Sequence, residues 1–439
     1  MKIPEEYNDR YIFHFTHIDN LKSIIDEGLL STSKKKEKGI GHFDVANGVI
    51  QERRETMKVT EGPRGTVHDY VPFYFAITNK MLLSIVNNKS VDQEDIIFLV
   101  MPIAVLEKDD TVFSDRAANC NVAPNFYFDP KDLDKLSWDE IDSMRWGEKD
   151  DEAKHKRMAE ALIYGSVNIE DIEEIIVYDE DAMKRVSKCF DDVAIDCPRI
   201  CIQWFLGRSF YFKKPYFEDR KDESLVTGPK RLRQLFFDTI ENIKLERKSF
   251  SGDYKFKDIT DAIAEIDKDF CAVEELAGIF NLETENTVHK DTVSDHTKKV
   301  VNKIRCKNCI FNNLEEEDKN VLIFSAYLHD IGKGPKDKWK GEIQKVYIDH
   351  PADSLKALNR ILIEDIEHIS DSEIRKICLL VTYHDLLGDI LKTGRKKDEL
   401  DALGLDTNEK NMLVAMAYAD INSIENLKAT IEELEGIIR

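Results

Sequence analysis

The pattern of apolar and polar positions divides the chain in two. Up to about residue 213, short β-like runs (YIFHF, VPFYFAI, DIIFLVMPIAVL, IEEIIVY, ICIQWF) mix with helical pieces such as IDNLKSIIDEGL, which stops at Gly28. This predicts an α+β domain over residues 1–213. Beyond Pro229 the apolar positions recur at helical spacing: RLRQLFFDTIENIKLE, ITDAIAEIDKDFCAVEELAGIF, SDHTKKVVNKI, KNVLIFSAYLHDIG, ADSLKALNRILIEDI, IRKICLLVTYHDLLGDIL and EKNMLVAMAYADINSI. No strand-like run of comparable strength interrupts them, so residues 230–439 are expected to form an all-α domain. Residues 214–229, polar, charged and punctuated by Pro215, Gly228 and Pro229, read as the linker.

Composition narrows the function classes. At 439 residues the chain is long enough for two or three separate cores. With 34% charged residues and no long apolar run, it predicts neither a membrane span nor, from MKIPEEYNDRYIF, a signal peptide. A cytoplasmic location is expected. The eight cysteines suit a reduced compartment, and the lone pair Cys306 and Cys309 lacks a second pair at zinc-site spacing. A net charge of −22 argues against nonspecific coating of nucleic acid. A local exception is the run Arg208 to Arg233, where Lys213, Lys214, Arg220, Lys221, Lys230 and Arg231 interleave with Phe210, Tyr211, Phe212, Tyr216 and Phe217. It reads as a solvated linker in preference to a nucleic-acid surface.

The stretch LHDIGKG raises a chemical question, because His329 and Asp330 are adjacent and neighbours on a helix point about 100° apart. Six of the eleven histidines lie between His289 and His384. His296, His350, His384 and Asp420 fall at the start of, or within, otherwise apolar helices, where unpaired polar groups are unfavourable. Converging imidazoles and carboxylates share that burden by holding ions. His289 and His368, in polar surroundings, read as ordinary surface histidines.

These residues resemble an HD-domain metal-dependent phosphohydrolase over residues 230–439. The resemblance implies that His296, His329, Asp330 and Asp420 hold a first divalent ion. Asp330 would bridge to a second ion, completed by His350 and His384, with Lys333 contacting a substrate phosphate. One or two ions of Mn, Fe, Co, Ni or Mg suit mixed histidine and carboxylate ligation. Two such ions lower the pKa of a water between them and neutralise charge developing at phosphorus.

In the first half, His14 and Thr16 share one face of a strand. Arg53 and Arg54 precede a Gly/Pro loop and a strand, and Glu160 opens a short apolar strand after Lys154, Lys156 and Arg157. A carboxylate with nearby cations suits glycosyl transfer, but on spacing alone Glu160 reads as a strand-edge charge in preference to a catalytic group. The ordered segments YIFHFTHIDNLKSII, IQERRETMKV, GTVHDYVPFYF, VFSDRAA and KRMAEALIY are similar to the DarT family of DNA ADP-ribosyltransferases, toxins of bacterial toxin–antitoxin pairs, over residues 8–213.

This resemblance implies an ADP-ribosyltransferase fold that holds NAD in a cleft between two small sheets. ADP-ribose would pass to a base in single-stranded DNA, with the thymidine-modifying branch the nearer, releasing nicotinamide. His14, Phe15 and Thr16 would cradle the nicotinamide-ribose end, with Ser23 and Ser31 further along NAD. Arg54 would contact NAD and help deprotonate the thymine nitrogen, and Glu160 would orient the ribose and act in the transfer. An antitoxin of the macrodomain ADP-ribosylhydrolase type is the partner the family implies. Phe126, Tyr127, Trp138 and Trp146 are candidates for stacking an unpaired base or, equally, for packing.

The expectation is thus an NAD-dependent DNA ADP-ribosyltransferase fused to an HD phosphohydrolase, which would restrain the toxin or cleave a phosphoester or nucleotide signal in phage defence. Two alternatives place the main activity elsewhere. In one, the chain is chiefly an HD-type nuclease or nucleotide phosphohydrolase with an N-terminal DNA- or NAD-recognition domain. In the other, a nucleotide-sensing HD domain gates the transferase.

Overall fold

The computed structural model describes all residues except 44–47, 119–121, 145–149, 192, 194, 214–224, 286–290 and 307–313, and the side chains of 48–51. Trp146, His289, Cys309 and the linker residues Lys214, Pro215, Tyr216, Phe217, Arg220 and Lys221 lie outside the described residues. The chain separates into one unit of residues 1–87 and 91–212 and another of residues 88–90 and 213–439.

The first unit is built on an eight-stranded sheet. Its strands are β1 (Tyr11–His17), β2 (Tyr70–Tyr74), β3 (Ile96–Pro102), β4 (Thr111–Ser114), β5 (Phe126–Tyr127), β6 (Glu160–Tyr164), β7 (Glu174–Val177) and β8 (Arg199–Ile202), in the spatial order β8-β7-β3-β1-β2-β6-β4-β5. All neighbours are antiparallel except β7 and β8. The helices α1 (Leu21–Glu27), α2 (Thr32–Lys38) and α3 (Gly48–Thr56) follow β1. Alternation on β1 sends Ile12 into the core with Ile97, Leu99 and Val71, while Phe13 packs against Phe205 and Phe210 on the other face.

The sheet is nearly two sheets. Strand β1 pairs with β3 along its length, from Tyr11 opposite Pro102 to His17 opposite Ile96, but meets β2 at the single pair Phe13 and Tyr74. Proline causes part of this. The Pro72 carbonyl accepts a 2.7 Å hydrogen bond from His14 Nδ1 on β1. A residue's N–H and C=O point the same way in a strand, so the N–H that proline lacks is missing on the side facing β1, and the ladder cannot continue there. The cleft expected between two sheets is the opening of one sheet between two four-stranded halves.

The basic and aromatic run differs from expectation at its start. Phe210 and Tyr211 are buried, Phe210 against Phe98 and Tyr211 donating to the Ile96 carbonyl at 2.8 Å, and Gln93 brackets the Phe212 backbone. Aromatic rings that find apolar partners are removed from solvent, so these residues form neither a solvated linker nor a nucleic-acid surface. Phe126, Tyr127 and Trp138 are engaged in packing as well: Phe126 is buried, Tyr127 stacks on Phe113, and Trp138 stacks on Tyr7 beneath Arg10.

The second unit is helical around one large core. Its helices include α4 (Pro229–Arg247), α5 (Ile259–Lys268), α6 (Val293–Arg305), α7 (Glu316–Leu328), α8 (His350–Arg360), α9 (Asp371–Tyr383), α10 (Leu386–Lys392) and α11 (Thr407–Ile421). Two short parallel strand pairs, Phe256–Asp258 with Ile366–His368 and Glu283–Thr284 with Ile343–Gln344, add to the all-α expectation without altering the bundle. Thr292 caps α6, and capping boxes Ser370–Glu373 and Asp406–Glu409 start α9 and α11. These caps set where His296, His384 and Asp420 fall on their helices.

Candidate functional site

In the first unit a cavity of about 660 Å³ opens where β1 and β2 part. His14, Phe15, Thr16, Ser23, Tyr74 and Lys35 are among its lining residues. The Pro72 carbonyl can only accept, so His14 carries its proton on Nδ1 and leaves Nε2 as an acceptor. Burial pushes the His14 pKa down to about 4, so the ring is neutral at physiological pH. Thr16 Oγ1 accepts from Asn20, whose side-chain amide also brackets the Phe43 backbone and folds the segment after α2 over the end of β1.

Arg54 and Glu160 form the most specific contact in this unit. Arg54 Nη1 donates to Glu160 Oε1 at 2.9 Å and Nη2 to Oε2 at 3.0 Å, and both side chains are buried. Burial disfavours the guanidinium charge, but the Glu160 carboxylate outweighs it and raises the Arg54 pKa. Glu160 stands opposite Tyr74 in the β2–β6 register, so the ion pair is adjacent to the cavity wall. The Glu160 amide donates to Ser114 Oγ at 3.2 Å, which ties the strand start to β4.

Of the expected NAD residues, His14, Phe15, Thr16 and Ser23 line the cavity, Arg54 lies beside it through its pair with Glu160, and Ser31 has a capping role. It is not among the residues lining the cavity, and its Oγ caps α2 by accepting from the Lys34 amide at 3.3 Å. Tyr74 and His68 line the cavity without having been singled out in the sequence. The tyrosine was legible as a polar tip within the apolar run VPFYFAI.

The second unit gathers all six expected metal ligands. His296 Nε2 lies 2.8 Å from Asp420 Oδ1, and His329 Nε2 lies 3.8 Å from the same oxygen. Asp330 Oδ2 is 3.3 Å from His329 Nε2, while its Oδ1 is 3.5 Å from His350 Nε2 and 3.8 Å from His384 Nε2. The two oxygens of one carboxylate therefore face the two halves of the cluster. His329 closes α7 and Asp330 leaves the helical conformation (φ −108°, ψ 9°), which is how adjacent residues reach a common centre.

Three of the imidazoles are held by one device. Nδ1 of His329, His350 and His384 each donates at 2.8 Å to the carbonyl three residues earlier, of Ala326, Tyr347 and Val381. This fixes the proton on Nδ1 and turns Nε2 inward as a donor of electrons. Nε2 of His329 and Oδ1 of Asp330 are buried without a hydrogen bond, a costly state that a bound cation relieves. The residues present fit a divalent metal centre. Three overlapping groups, His296–His329–Asp420, His329–Asp330–His384 and His350–His384–Asp385, each bring ligand atoms within 4.8 Å of one another.

Charges around the cluster follow. Burial opposes protonation of His329, but Asp330 outweighs it and raises its pKa to about 9. Burial and Lys333 push His350 down to about 3. Burial would raise the Asp330 pKa, yet Lys333, at 2.7 Å from Oδ2, and His329 hold it well below the usual carboxylate range. Asp385, not among the expected ligands, joins one of the three groups, and the repeat of the His-Asp doublet at residues 384 and 385 is its signal in the sequence. His368 is exposed beside Glu367, away from this cluster's ligand groups.

Comparison with known proteins supports both units. Residues 13–212 match the family described as DarT, ssDNA thymidine ADP-ribosyltransferase, and residues 293–415 match the HD domain. A DNA ADP-ribosyl transferase of Thermus sp. (strain 2.9) is 34% identical over 207 residues, covering 44% of this chain and 95% of that protein. A DNA ADP-ribosyl transferase of Escherichia coli O127:H6 is 32% identical over 185 residues, covering 40% of this chain and 84% of that protein. The solved structure of Thermus sp. 2.9 DarT in complex with ADP-ribosylated ssDNA matches with 32% identity and a TM-score of 0.41, covering 46% of this chain and 96% of that one. Through its N-terminal half the chain belongs to the DarT family of DNA ADP-ribosyltransferases, here joined in one polypeptide to an HD domain.

Proposed function

We propose that the first unit transfers ADP-ribose from NAD to a thymine nitrogen in single-stranded DNA. The buried Arg54–Glu160 fork beside the cavity carries this reading. The relatives support it: Thermus sp. 2.9 DarT has been solved in complex with NAD+ and with ADP-ribosylated ssDNA. NAD occupies the cavity at the β1–β2 opening, with the nicotinamide-ribose end against His14, Phe15 and Thr16 and the remainder toward Ser23. Ser31 acts at one remove by anchoring α2.

Chemistry follows from charge. The bond between ribose C1′ and nicotinamide breaks, nicotinamide leaves as a neutral molecule, and positive charge develops at C1′. The buried Glu160 carboxylate stabilises that charge. Thymine loses its N–H proton to solvent as the new C1′–N bond forms. Because the ion pair raises the Arg54 pKa, the guanidinium acts by holding NAD and stabilising the thymine anion, a role that needs no proton transfer to arginine.

The second unit is a metal-dependent phosphohydrolase centre held by His296, His329, Asp330, His350, His384 and Asp420. Divalent ions held by these residues would supply an activated water and would neutralise charge on a phosphoester. Lys333, whose amine donates to Asp330 at 2.7 Å, would contribute a point charge toward a substrate phosphate. The co-linear arrangement favours a role in restraining the transferase or clearing a phosphoester in phage defence.

The deciding experiment incubates the intact protein with NAD and a set of single-stranded oligonucleotides and reads them by mass. An ADP-ribose increment on thymine-containing strands, absent with Glu160→Gln, is expected. No increment on any strand overturns the transferase reading. Phosphate release from a nucleotide panel with Mn, Ni or Mg, compared with Asp330→Ala, tests the second unit, and nucleotide binding without turnover would favour a sensor.

A further inference from the structure

The half of the metal centre around His350 and His384 contains a contact that two neutral rings do not tolerate alone. Their Nε2 atoms are 3.2 Å apart. In both rings Nδ1 faces a backbone carbonyl and carries the proton. With both rings neutral, two lone pairs point at each other, an arrangement that a cation beside them relieves and that otherwise needs one ring to carry a second proton on Nε2. Asp330 Oδ1 supplies one anionic oxygen, at 3.5 and 3.8 Å from these nitrogens.

A second carboxylate closes the other side. Asp385 is the N-cap of α10, directly after His384, and its Oδ1 lies 3.4 Å from His384 Nε2 and its Oδ2 3.4 Å from His350 Nε2. Its side chain is 32% exposed, whereas those of the six other ligands are 9% exposed or less. A carboxylate that merely neutralised a protonated histidine would pair with one ring. This one divides its two oxygens between both, on the solvent side of the nitrogens.

We propose that Asp385 is a direct ligand of the ion held by His350 and His384, making that half a site of two imidazoles and two carboxylates closed from solvent by Asp385. The proposal rests on the metal-centre reading of the second unit. Such a donor set suits first-row ions that accept both nitrogen and carboxylate oxygen, Mn(II) and Fe(II) among them. The first half, with His296, His329 and Asp420, does not depend on Asp385.

The test strips the intact protein with a chelator, titrates it with Mn(II), and counts bound ions by elemental analysis, with free Mn(II) followed by electron paramagnetic resonance. The wild-type chain is expected to bind two ions and Asp385→Asn to keep one, the second weakened by about a hundredfold or more, beyond the usual effect of losing an outer-shell partner. His384→Gln should show the same loss. Asp385→Glu, which keeps a carboxylate, should recover two-ion binding, and that order also decides the matter should the asparagine variant fold poorly. Two ions bound by Asp385→Asn with unchanged affinity, or by Asp385→Glu no better than by Asp385→Asn, overturn the proposal. A wild-type chain that binds no Mn(II) overturns the metal-centre reading itself, a different result.

Discussion

Arg54 and Glu160 meet as a bidentate, buried ion pair although 106 residues separate them in the chain. Removing one member by truncation leaves the other buried and uncompensated, so Arg54→Ala and Glu160→Ala should each lose about 3–5 kcal/mol of stability. Glu160→Gln keeps an acceptor and the shape while deleting the charge. It should fold, yet transfer ADP-ribose about a hundredfold more slowly or worse. Unfolding curves and oligonucleotide mass increments on the same preparations separate the two effects.

Ser31 gives a different expectation from Ser23. Its Oγ accepts from the Lys34 amide as the cap of α2, so Ser31→Ala should cost about 1 kcal/mol of stability through the lost cap. Its KM for NAD should stay near the wild-type value, whereas Ser23→Ala should raise KM. A large KM increase in Ser31→Ala at unchanged stability would place its hydroxyl on NAD instead.

The depressed pKa of His14 makes a pH prediction. Its folded value, about 4, lies below the ordinary 6.5. Between those values the unfolded chain takes up a proton that the folded chain refuses, so stability falls as the medium becomes more acidic. The contribution is whole above pH 6.5 and is lost as pH drops toward 4. Denaturant titrations of wild type and His14→Gln should differ by a constant amount above pH 6.5 and converge below it.

Gly332, in the turn after the His-Asp doublet, is required by space. A Cβ there would lie 2.0 Å from the His350 carbonyl oxygen and 2.5 Å from the Ser354 amide nitrogen. Both are backbone atoms that cannot swing aside, so Gly332→Ala should destabilise the second unit by about 3 kcal/mol or more. Displacing His350 should also weaken Mn(II) binding, which calorimetric titration would show.

Metal binding itself should stabilise the second unit. An ion at a hundred times its Kd adds about 2.7 kcal/mol to the folded state when the unfolded chain does not bind it. The unfolding temperature should climb with Mn(II) concentration in the wild-type chain and not in Asp330→Asn, which lacks the carboxylate whose oxygens face both halves of the cluster.

By itself the sequence determined what depends on neighbours along the chain. Apolar spacing separated an α+β half from a helical half, because periods of two and 3.6 residues are local consequences of backbone geometry. Residue chemistry marked His296, His350, His384 and Asp420 as polar groups in apolar helices that demand partners, and the resemblance to the HD domain added His329 and Asp330 and grouped the six as expected ligands. Tertiary structure decided what depends on distance. It placed Asp330 so that one oxygen faces each half of the cluster, joined Arg54 to Glu160, made Ser31 the cap of α2, removed Phe210 and Tyr211 from solvent, and brought Asp385 beside two rings. Those outcomes turn on where strands part and helices end. His296 and Asp420 stand 124 residues apart, and only the packing of α6 against α11 makes them neighbours, because a side chain's reach is a few ångströms and the pattern along a chain carries no record of what lies across the core.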